Sequence, residues 1–412
     1  MRHVHGGDVY GRGEILDFSA NMNPLGMPET VKRAAQAGAA DSHQYPQPYA
    51  RGLCEKIAAY ESAKLRNLYD RPQSEASIIC PEQVFAGNGA ADLIFLLTRA
   101  LQPEEGIVFT PSFAEYEAAL RAAGSTLSLI PLDEEIGFTL TRHEIGSMRR
   151  HLAAKADKIS GGKAAVFVGQ PGNPTGVLIE PEHLLELLEI CQRFEAWLII
   201  DACFVPLLEE AQVRMQEELL SQCLEYERTV VLRAFTKAFA IPGLRLGYLI
   251  CRDESLITKL QEVSQPWSVS LPAMMAGEAA LEEAGEHGKN NFAESTGYLT
   301  RSRAYINIEK QKLLAGLAAL PGELIQKVYG HAANYIFFRA VPGLDEKLLK
   351  YRIMIRNCAN FTSLEEGFYR IAVREEAEND KLLEALLSIA QECMAQQESG
   401  MIAQGCAAQQ EE

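Results

Sequence analysis

Residues 233–248 read Arg233-Ala234-Phe235-Thr236-Lys237-Ala238-Phe239-Ala240-Ile241-Pro242-Gly243-Leu244-Arg245-Leu246-Gly247-Tyr248. Lys237 comes just after an apolar run that is typical of a buried strand, and its neighbours are mostly apolar. Removal of water lowers the pKa of an amine, and the neutral amine is the form that attacks an aldehyde. Arg245 follows in a Pro-Gly turn, where its guanidinium can bind an anion. A single lysine at a strand end is more often a surface residue, so this interpretation depends on the rest of the chain.

Outward from this stretch, short apolar runs alternate with helical patterns between about residues 84 and 290. Such alternation predicts an α/β fold in which helices cover both faces of a mainly parallel sheet. One of the helices is predicted over Pro181–Phe194. The predicted strands are Gln83–Ala86, Ile107–Thr110, Thr126–Ile130, Ala164–Val168, Trp197–Asp201, Thr229–Arg233 and Leu246–Cys251.

After residue 290 the pattern changes to that of a smaller α+β domain. A long helix over 291–319 is followed by the predicted strands Asn334–Arg339 and Tyr369–Val373 and the predicted helices Leu344–Tyr351 and Glu376–Gln396. We therefore predict an N-terminal arm that joins the small domain (1–50), a large cofactor-binding domain (51–290), the small domain (291–398) and a flexible tail (399–412).

Composition restricts the class of partner. The chain has 412 residues, of which 47% are hydrophobic, and a formal net charge of -16. This charge repels phosphate backbones, so nucleic acid is not expected as a partner, although a local arginine cluster can still bind a small anion. No run reaches the ~18 apolar residues of a membrane helix, so no membrane partner is predicted. The nine cysteines include no Cys-x-x-Cys pair, which favours free thiols in a reducing cytoplasm over disulfides or a metal site.

Three further segments place polar or small residues directly after predicted strands. Asp201 ends one strand, where doubly wound sheets hold ligands, although a loop-capping aspartate is an equal alternative. Another strand leads into Gln170-Pro171-Gly172-Asn173-Pro174-Thr175-Gly176, a string that a generic tight turn explains only in part. A third leads through Ala86-Gly87-Asn88-Gly89-Ala90-Ala91-Asp92 into a helix whose first N–H groups can bind a phosphate. This segment lacks the third glycine of a dinucleotide-binding fingerprint.

Taken in order, these segments resemble the pyridoxal-phosphate (PLP) enzymes of the aminotransferase class I/II family, which have fold type I. The resemblance extends over nearly the whole chain, and five motifs in the family's order are specific where each alone is modest. It implies a large domain with a mainly parallel seven-stranded sheet between helices, a smaller α+β domain, and PLP as the cofactor. The motifs are Gly87-Asn88-Gly89, Pro111-Ser112-Phe113, Asn173-Pro174-Thr175-Gly176, Asp201 and Thr236-Lys237.

The resemblance also implies a role for each cofactor-binding residue. Lys237 bonds to the cofactor aldehyde and later shuttles protons, while Asp201 pairs with the pyridinium nitrogen. Asn173 hydrogen-bonds the ring oxygen, and Phe113 stacks on the ring face. Tyr45 reaches the cofactor phosphate of a neighbouring subunit, which implies a homodimer with shared active sites. The remaining cofactor-binding residues are Thr236 and the phosphate ligands Gly89, Ala90 and Arg245.

Four residues are predicted to bind the substrate. Arg370 aligns with the family's arginine for the substrate carboxylate, and Arg356 matches a second arginine that histidinol-phosphate aminotransferases use for a phosphate. Surface ion pairing is the alternative for both arginines. Asn23 and Asn334 are the other two candidates. Together they predict a small anionic substrate, a phosphorylated amino acid.

The N-terminal segment is similar to that of the threonine-phosphate decarboxylases of cobalamin biosynthesis, and so are residues 265–270 and 355–361. This similarity implies decarboxylation of L-threonine O-3-phosphate to (R)-1-amino-2-propanol O-2-phosphate by a lyase. The alternatives are a histidinol-phosphate-type aminotransferase that uses 2-oxoglutarate, and a PLP-binding protein with weak or no catalysis. His5 is predicted to be solvated. The segment reads His5-Gly6-Gly7-Asp8, then Leu16-Asp17-Phe18-Ser19-Ala20-Asn21-Met22-Asn23-Pro24-Leu25-Gly26.

The chain departs from the family pattern on either side of these motifs. Asp201 is followed by Ala202, Cys203 and Phe204, and Phe204 lacks the hydroxyl with which a tyrosine would reach the ring oxygen. Ala234 stands where the family usually has a serine that binds the phosphate. One hydrogen bond to a charged group contributes roughly 1.5–3 kcal/mol, so we expect weaker cofactor binding and not its loss.

Overall fold

The computed structural model describes residues 5–68, 78–155, 163–284 and 297–408. Its strands, in chain order, are β1 (Leu16–Asp17), β2 (Val84–Gly87), β3 (Glu105–Thr110), β4 (Thr126–Pro131), β5 (Ala164–Gly169), β6 (Trp197–Asp201), β7 (Thr229–Ala234), β8 (Gly247–Cys251), β9 (Ile325–Val328), β10 (Tyr335–Ala340), β11 (Ile353–Met354), β12 (Arg356–Asn357) and β13 (Phe368–Ala372).

Its helices, also in chain order, are α1 (Glu29–Ala40), α2 (Arg51–Leu68), α3 (Ala90–Leu101), α4 (Ala114–Ala122), α5 (Arg142–Lys155), α6 (Pro181–Arg193), α7 (Glu210–Cys223), α8 (Phe235–Ala238), α9 (Glu254–Val263), α10 (Leu271–Ala284), α11 (Tyr298–Ala318), α12 (Leu344–Lys350) and α13 (Glu376–Ala408). Among the described residues, no helix is both long enough and apolar enough to cross a membrane.

A seven-stranded sheet forms the centre of the large domain, in the order β2-β8-β7-β6-β5-β3-β4. Strand β8 runs antiparallel to both of its neighbours, and the other adjacent strands are parallel. All seven predicted strands are present, with ends that differ from the prediction by at most two residues. The predicted fold class, a mainly parallel sheet between helices, is confirmed.

The apolar runs are continuous because both faces of the sheet are buried. Side chains alternate across a strand, so Val166 packs in the core that includes helices α2 and α6, while Phe167 packs in the core that includes α3 and α4. Neighbouring β6 repeats the arrangement with Ile200 and Ile199. Strand β4, at the edge of the sheet, is partly exposed along its length.

The direction of the strands brings four chemically important segments to one edge of the sheet. Strands β2, β5, β6 and β7 all run the same way, since β2 and β7 are each antiparallel to β8. Their carboxyl ends therefore share an edge, where open α/β sheets bind ligands. The segments that follow these ends carry Gly89, Asn173, Asp201 and Lys237.

The small domain is built on a four-stranded antiparallel sheet in the order β12-β13-β10-β9. The predicted strands Asn334–Arg339 and Tyr369–Val373 correspond to β10 and β13, whereas β9 and β12 are additional. Helix α13 continues to Ala408, beyond the predicted end at Gln396. Residues 291–296 of the predicted helix 291–319 lie outside the described residues, and the four-part division of the chain stays a prediction.

The N-terminal arm crosses from the small domain to the lysine-bearing helix. Strand β1 pairs in parallel with β11, so that Leu16 lies opposite Ile353. The carbonyl of Phe18 then accepts from the amide of Ala372 at 2.8 Å, and the Phe18 ring is fully buried in the small-domain core. Further along, the amide of Asn23 donates to the carbonyl of Lys237 at 3.2 Å. The arm is thus hydrogen-bonded both to the small domain and to the segment that follows β7 at the edge of the large sheet.

Candidate functional site

Lys237 lies in α8, which begins directly where β7 ends. The Asn23 side chain donates from Nδ2 to the carbonyl of Ala238 at 2.8 Å, which fixes α8 against the arm. The half-buried Lys237 amine lies 3.9 Å from the sulfur of Met22. Burial lowers the pKa of Lys237 to about 8, with further contributions from the cationic Arg370 and Arg245. About half of the molecules therefore carry a neutral, nucleophilic amine near pH 8.

Asp201 is held in place by two donors. Tyr116 donates its hydroxyl to Oδ2 at 2.7 Å, and the backbone N–H of Cys203 donates to Oδ1 at 3.1 Å. Burial, together with the adjacent Asp201, raises the pKa of Tyr116 well above its usual value, so the tyrosine keeps its proton and remains a donor. Asp201 ends β6 and Lys237 follows the end of β7, and these two strands are adjacent with Asp201 opposite Leu232. The carboxylate and the amine thus belong to one site.

A cradle for an anion forms where β8 passes the first turn of α3. Gly89 has φ +92°, and a Cβ atom there would lie 2.5 Å from a guanidinium nitrogen of Arg245. A Cβ atom on Gly247 would lie 2.9 Å from the amide nitrogen of Ala90. Both glycines therefore permit close approach of Arg245 and of the N-terminus of α3, where unpaired N–H groups and the helix dipole attract a phosphate.

We expect Gly89→Ala to weaken cofactor binding substantially. The new methyl group would displace Arg245 and strain a backbone with positive φ, so the dissociation constant of PLP should rise roughly 10- to 100-fold if one charge-assisted hydrogen bond is lost. Equilibrium titration of the apoprotein with PLP measures this constant. Gly243→Ala is the matched control, because a Cβ atom there meets nothing within 4 Å. Equal affinities for the two variants would contradict the assignment of the cradle.

Asn173, Phe113 and Thr236 lie around the same edge. The Asn173 carbonyl oxygen accepts a short hydrogen bond from Nη1 of Arg370, so this side chain links the large domain to the small one. Phe113 precedes α4 and packs edge-on against Tyr116, with ring centroids 5.7 Å apart. Thr236 is buried directly before the lysine. The roles that the family resemblance implies for these three residues remain predictions.

The two predicted substrate arginines lie opposite each other in the small-domain sheet. Arg356 and Arg370 are direct partners in the antiparallel register of β12 and β13. Like charges at such positions repel each other unless an anion lies between or beside them. Burial lowers the pKa of both guanidinium groups. This pair is therefore suited to a ligand that carries two negative charges.

The two arginines differ in how the chain holds them. Arg370 donates from Nη2 to the carbonyl of Ser19 at 3.0 Å and lies over the Tyr335 ring at 5.4 Å, while its Nε has no partner among the described residues. Arg356 donates to the carbonyl of Asn357 and to Oδ1 of Asn360 at 2.6 and 2.7 Å. A buried donor without a partner is costly, so the Nε of Arg370 is a natural contact for a bound anion.

The two predicted substrate asparagines have different surroundings. Asn23 donates both amide hydrogens to the chain itself, to the carbonyl of Ala238 and to Oγ of Ser302, each at 2.8 Å. These contacts give Asn23 a positioning role beside the lysine-bearing helix, and its contact with substrate stays a prediction. Asn334 donates to the carbonyl of Met22 at 3.0 Å, but its Oδ1 has no partner among the described residues and can still accept.

Tyr45 does not contact the other predicted site residues within the chain. Its side chain is 82% exposed and packs against Trp267, with ring centroids 5.1 Å apart. Two of the residues that depart from the family pattern make packing contacts instead. Phe204 packs edge-on against Tyr335, with ring centroids 5.0 Å apart, and Ala234 is buried at the start of α8.

Sequence reasoning missed one residue that holds the site together, Tyr116. Tyr116 lies in a helix that was not assigned a function, and only the fold brings it to Asp201. His5, which was predicted to be solvated, is half-exposed but pairs with Glu115 at 2.9 Å and lies 6.4 Å from the Phe113 ring. Gly7 anchors this part of the arm by donating to Oγ of Ser19 at 2.8 Å. The exposure of His5 accords with a solvated side chain.

The residues present fit PLP. A fixed carboxylate suits a protonated ring nitrogen, an amine with a lowered pKa suits the aldehyde, and the glycine-lined cradle beside Arg245 suits the phosphate. Lys237, Asp201 and Arg245 are the charged groups of this set. The arginine pair on β12 and β13 lies on the small-domain side, and its member Arg370 is bonded to Asn173 of the large domain and to Ser19 of the arm.

The lowered pKa of Lys237 predicts how capture of PLP by the apoprotein depends on pH. Because only the neutral amine attacks the aldehyde, the observed rate should rise between pH 7 and pH 9 with a midpoint near 8. Stopped-flow absorbance after mixing with PLP measures this rate. A midpoint near 10.5, the ordinary lysine value, would show that the amine is not desolvated in the apoprotein.

Comparison with known proteins gives consistent results. The family model for "Aminotransferase class I and II" matches residues 13–386. The threonine-phosphate decarboxylase of Salmonella typhimurium is 31% identical over 94% of this chain and 96% of its own. The adenosylcobalamin biosynthesis bifunctional protein CobDQ of Leptospira interrogans is 30% identical over 91% of this chain and 39% of its own. The crystal structure of the histidinol-phosphate aminotransferase from Clostridium acetobutylicum aligns with a TM-score of 0.73, at 27% identity over 92% of this chain and 100% of that one.

Proposed function

Because the chain belongs to the aminotransferase class I and II family, we propose that it decarboxylates L-threonine O-3-phosphate to (R)-1-amino-2-propanol O-2-phosphate. The enzyme is PLP-dependent, as this family and its threonine-phosphate decarboxylases are. The similarity to the Salmonella decarboxylase supports the substrate, and the similarity to the Leptospira protein supports a place in cobalamin biosynthesis. The observation that carries the proposal is the pair of arginines at opposed positions on β12 and β13.

The arginine pair matches the two anionic ends of the proposed substrate, a carboxylate and a phosphate. Arg370 is tied to Asn173 on the cofactor side, so an anion bound to it lies next to the reacting centre. Arg356 lies one strand further out, where it binds the other anion. Two anchors at fixed positions restrict rotation of the amino acid about its Cα and so select which Cα bond is positioned to break.

When bound, PLP accepts the electron pair of whichever Cα bond stands perpendicular to its ring. Asp201, held by Tyr116 and Cys203, keeps a negative charge opposite the ring nitrogen and so favours its protonated form. For decarboxylation, the two arginines would orient the amino acid so that the bond from Cα to the carboxylate is the one that breaks. After CO₂ leaves, Lys237 donates a proton to Cα from Nζ, and the amine product is released.

Transamination is the second candidate, because the histidinol-phosphate aminotransferase of Clostridium acetobutylicum shares the fold at 27% identity. Transamination differs from decarboxylation in which Cα bond breaks. In transamination the bond to hydrogen breaks, so that a proton leaves in place of CO₂. The discriminating experiment supplies L-threonine O-3-phosphate alone to the PLP-saturated enzyme and measures CO₂ release over many turnovers. Strict dependence of turnover on an added 2-oxo acid would establish the aminotransferase and overturn the decarboxylase.

A homodimer with shared sites is part of the proposal. Tyr45 is 82% exposed beside Trp267, as expected of a side chain that completes the phosphate site of a second copy. Eight cysteines, from Cys54 to Cys393, are free, which supports location in the cytoplasm.

Mixing two inactive variants tests the shared site. In a dimer of Lys237→Ala and Tyr45→Ala chains, one site contains both substitutions and the other contains neither. Unfolding and refolding an equimolar mixture should therefore restore roughly a quarter of the wild-type specific activity, since about half of randomly paired dimers are mixed. Tyr10→Ala, at another highly exposed tyrosine, serves as the control for surface effects. Absence of recovery, with Tyr45→Ala chains confirmed as dimers, would exclude exchange of Tyr45 between copies.

A further inference from the structure

A cavity of about 200 Å³ lies against α8 but is separate from the site described above. It is lined by residues of α2, α7 and α8, by the end of α10 and by the start of α11. Lys237, Asp201 and Asn173 are not among its lining residues, whereas Phe235 and Ala238, on either side of the lysine in α8, are. The cavity therefore contacts the helix that carries the reactive amine without being part of the cofactor site.

Most of the wall is apolar. Phe235 and Phe239 of the lysine-bearing segment, Val213 of α7, Leu281 of α10 and Leu299 of α11 supply aromatic and aliphatic surface. A 150 Å³ cavity with such a lining accommodates a benzene ring. The volume here is therefore sufficient for one small ring or a short alkyl chain together with a polar head.

The polar part of the wall is predominantly cationic. The cationic side chains that line the cavity are Lys64, Arg214, Arg233 and Arg303, and Glu217 is the carboxylate among the described lining residues. The other carboxylates that pair with these cations, Glu61, Glu218 and Glu210, do not line the cavity. Four cations and one carboxylate therefore line the cavity, a balance that favours an anion.

Arg233 provides donors that nothing in the described chain accepts. Its side chain is 4% exposed, and Nη2 donates to Glu217 at 2.6 Å. Nε and Nη1 are buried and have no hydrogen-bond partner among the described residues. Unpaired buried donors are costly, so a group that offers acceptors to Arg233 is favoured strongly. A guanidinium recognises a carboxylate through paired hydrogen bonds.

We propose that this cavity is a second ligand site, which binds a small organic carboxylate with its head on Arg233 and its apolar body against Phe235 and Phe239. The ligand differs in class from the proposed substrate, because the cavity offers one arginine with free donors and an apolar wall. The bound ligand would contact α8 at Phe235 and Ala238, on either side of Lys237 in the sequence. Such a ligand would bind to the enzyme at a site separate from the substrate site.

The test uses 4-fluorobenzoate as the probe and the PLP-saturated full chain as the protein, with binding followed by ¹⁹F NMR. Val213→Phe fills the cavity without altering its charges, and Arg233→Met removes the donors. Each should weaken binding by roughly tenfold or more. Arg370→Met is the matched control, because benzoates can also bind an active-site arginine, and it should leave binding within about twofold.

Three results would overturn the proposal. One is saturable binding that Arg370→Met abolishes and Val213→Phe leaves unchanged, which would put the probe in the active site. Another is equal affinity for 4-fluorobenzyl alcohol, which lacks the carboxylate. The third is no saturable binding at all, with ordered water alone beside Arg233 in a crystal soaked with the probe. Val213→Phe keeps the test decisive if the Arg233 variant fails to fold.

Discussion

Replacement of Lys237 by alanine should abolish turnover and the visible absorption of covalently bound cofactor together. The side chain supplies both the bond that fixes the cofactor and the proton that returns to Cα, and positioned acid–base groups alone contribute about 10²–10⁴-fold. We therefore expect kcat to fall roughly 10³-fold or more. Release of CO₂ from L-threonine O-3-phosphate and the absorption spectrum of the PLP-treated protein measure the two effects.

A control lysine separates this chemical role from general loss of charge. Lys155 forms an ion pair with the buried Glu105 at the far side of the sheet and contacts none of the site residues that the structure describes. Lys155→Ala should keep the spectrum and most of the activity, although its stability will decrease. An unaltered cofactor spectrum in Lys237→Ala would remove this lysine from its assigned position.

Replacement of Arg370 by methionine should produce the next largest loss. Truncating one member of a buried, hydrogen-bonded charged pair costs about 2–5 kcal/mol, which corresponds to a fall in kcat/KM of roughly 30- to 5,000-fold. The substitution also removes the donors to Asn173 and to the carbonyl of Ser19. Steady-state kinetics with L-threonine O-3-phosphate gives the change, with Arg339→Met as the control, since Arg339 lies on the same sheet and pairs with Glu134 and Glu365.

A second measurement distinguishes an electrostatic role from a structural one. The positive charge of Arg370 contributes to the lowered pKa of Lys237, after burial. Without that charge the amine should hold its proton to higher pH, so the midpoint for PLP capture should move upward from about 8. A variant that loses kcat/KM but keeps this midpoint would indicate that Arg370 acts only through the substrate, and unchanged kcat/KM would exclude it from the site.

The sequence predicts the strands of the large sheet well because a strand that is buried on both faces appears as a continuous apolar run. Strands such as β5 and β7 are apolar at almost every position, and the fold buries them almost completely. The direction of β8 carries no such signal, since an apolar run reads alike in either orientation. Strands β1, β11 and β12 have two residues each, which is too short for any periodicity to register.

The same distinction applies to the site. Lys237, Asp201 and Asn173 follow strands directly, so their shared edge can be inferred from the order of strands along the chain. Tyr116 joins the site through a hydrogen bond to Asp201, 85 positions away in the sequence. No local pattern reports such contacts. Asn23 shows the converse case: its motif suggests a ligand contact, but tertiary packing uses both of its amide hydrogens.

The route of the N-terminal arm also fixes when the site can be completed during synthesis on the ribosome. Asp17 pairs with Met354, and the carbonyl of Ser19 accepts from Arg370, so this arm waits for residues made 337 to 351 positions later. The central sheet can form earlier, from residues made in between, and domains tend to fold as they emerge. A nascent chain can therefore place its reactive lysine at the sheet edge well before its substrate-binding arginine is held in position. The N-terminal arm and the small domain then complete the pocket together.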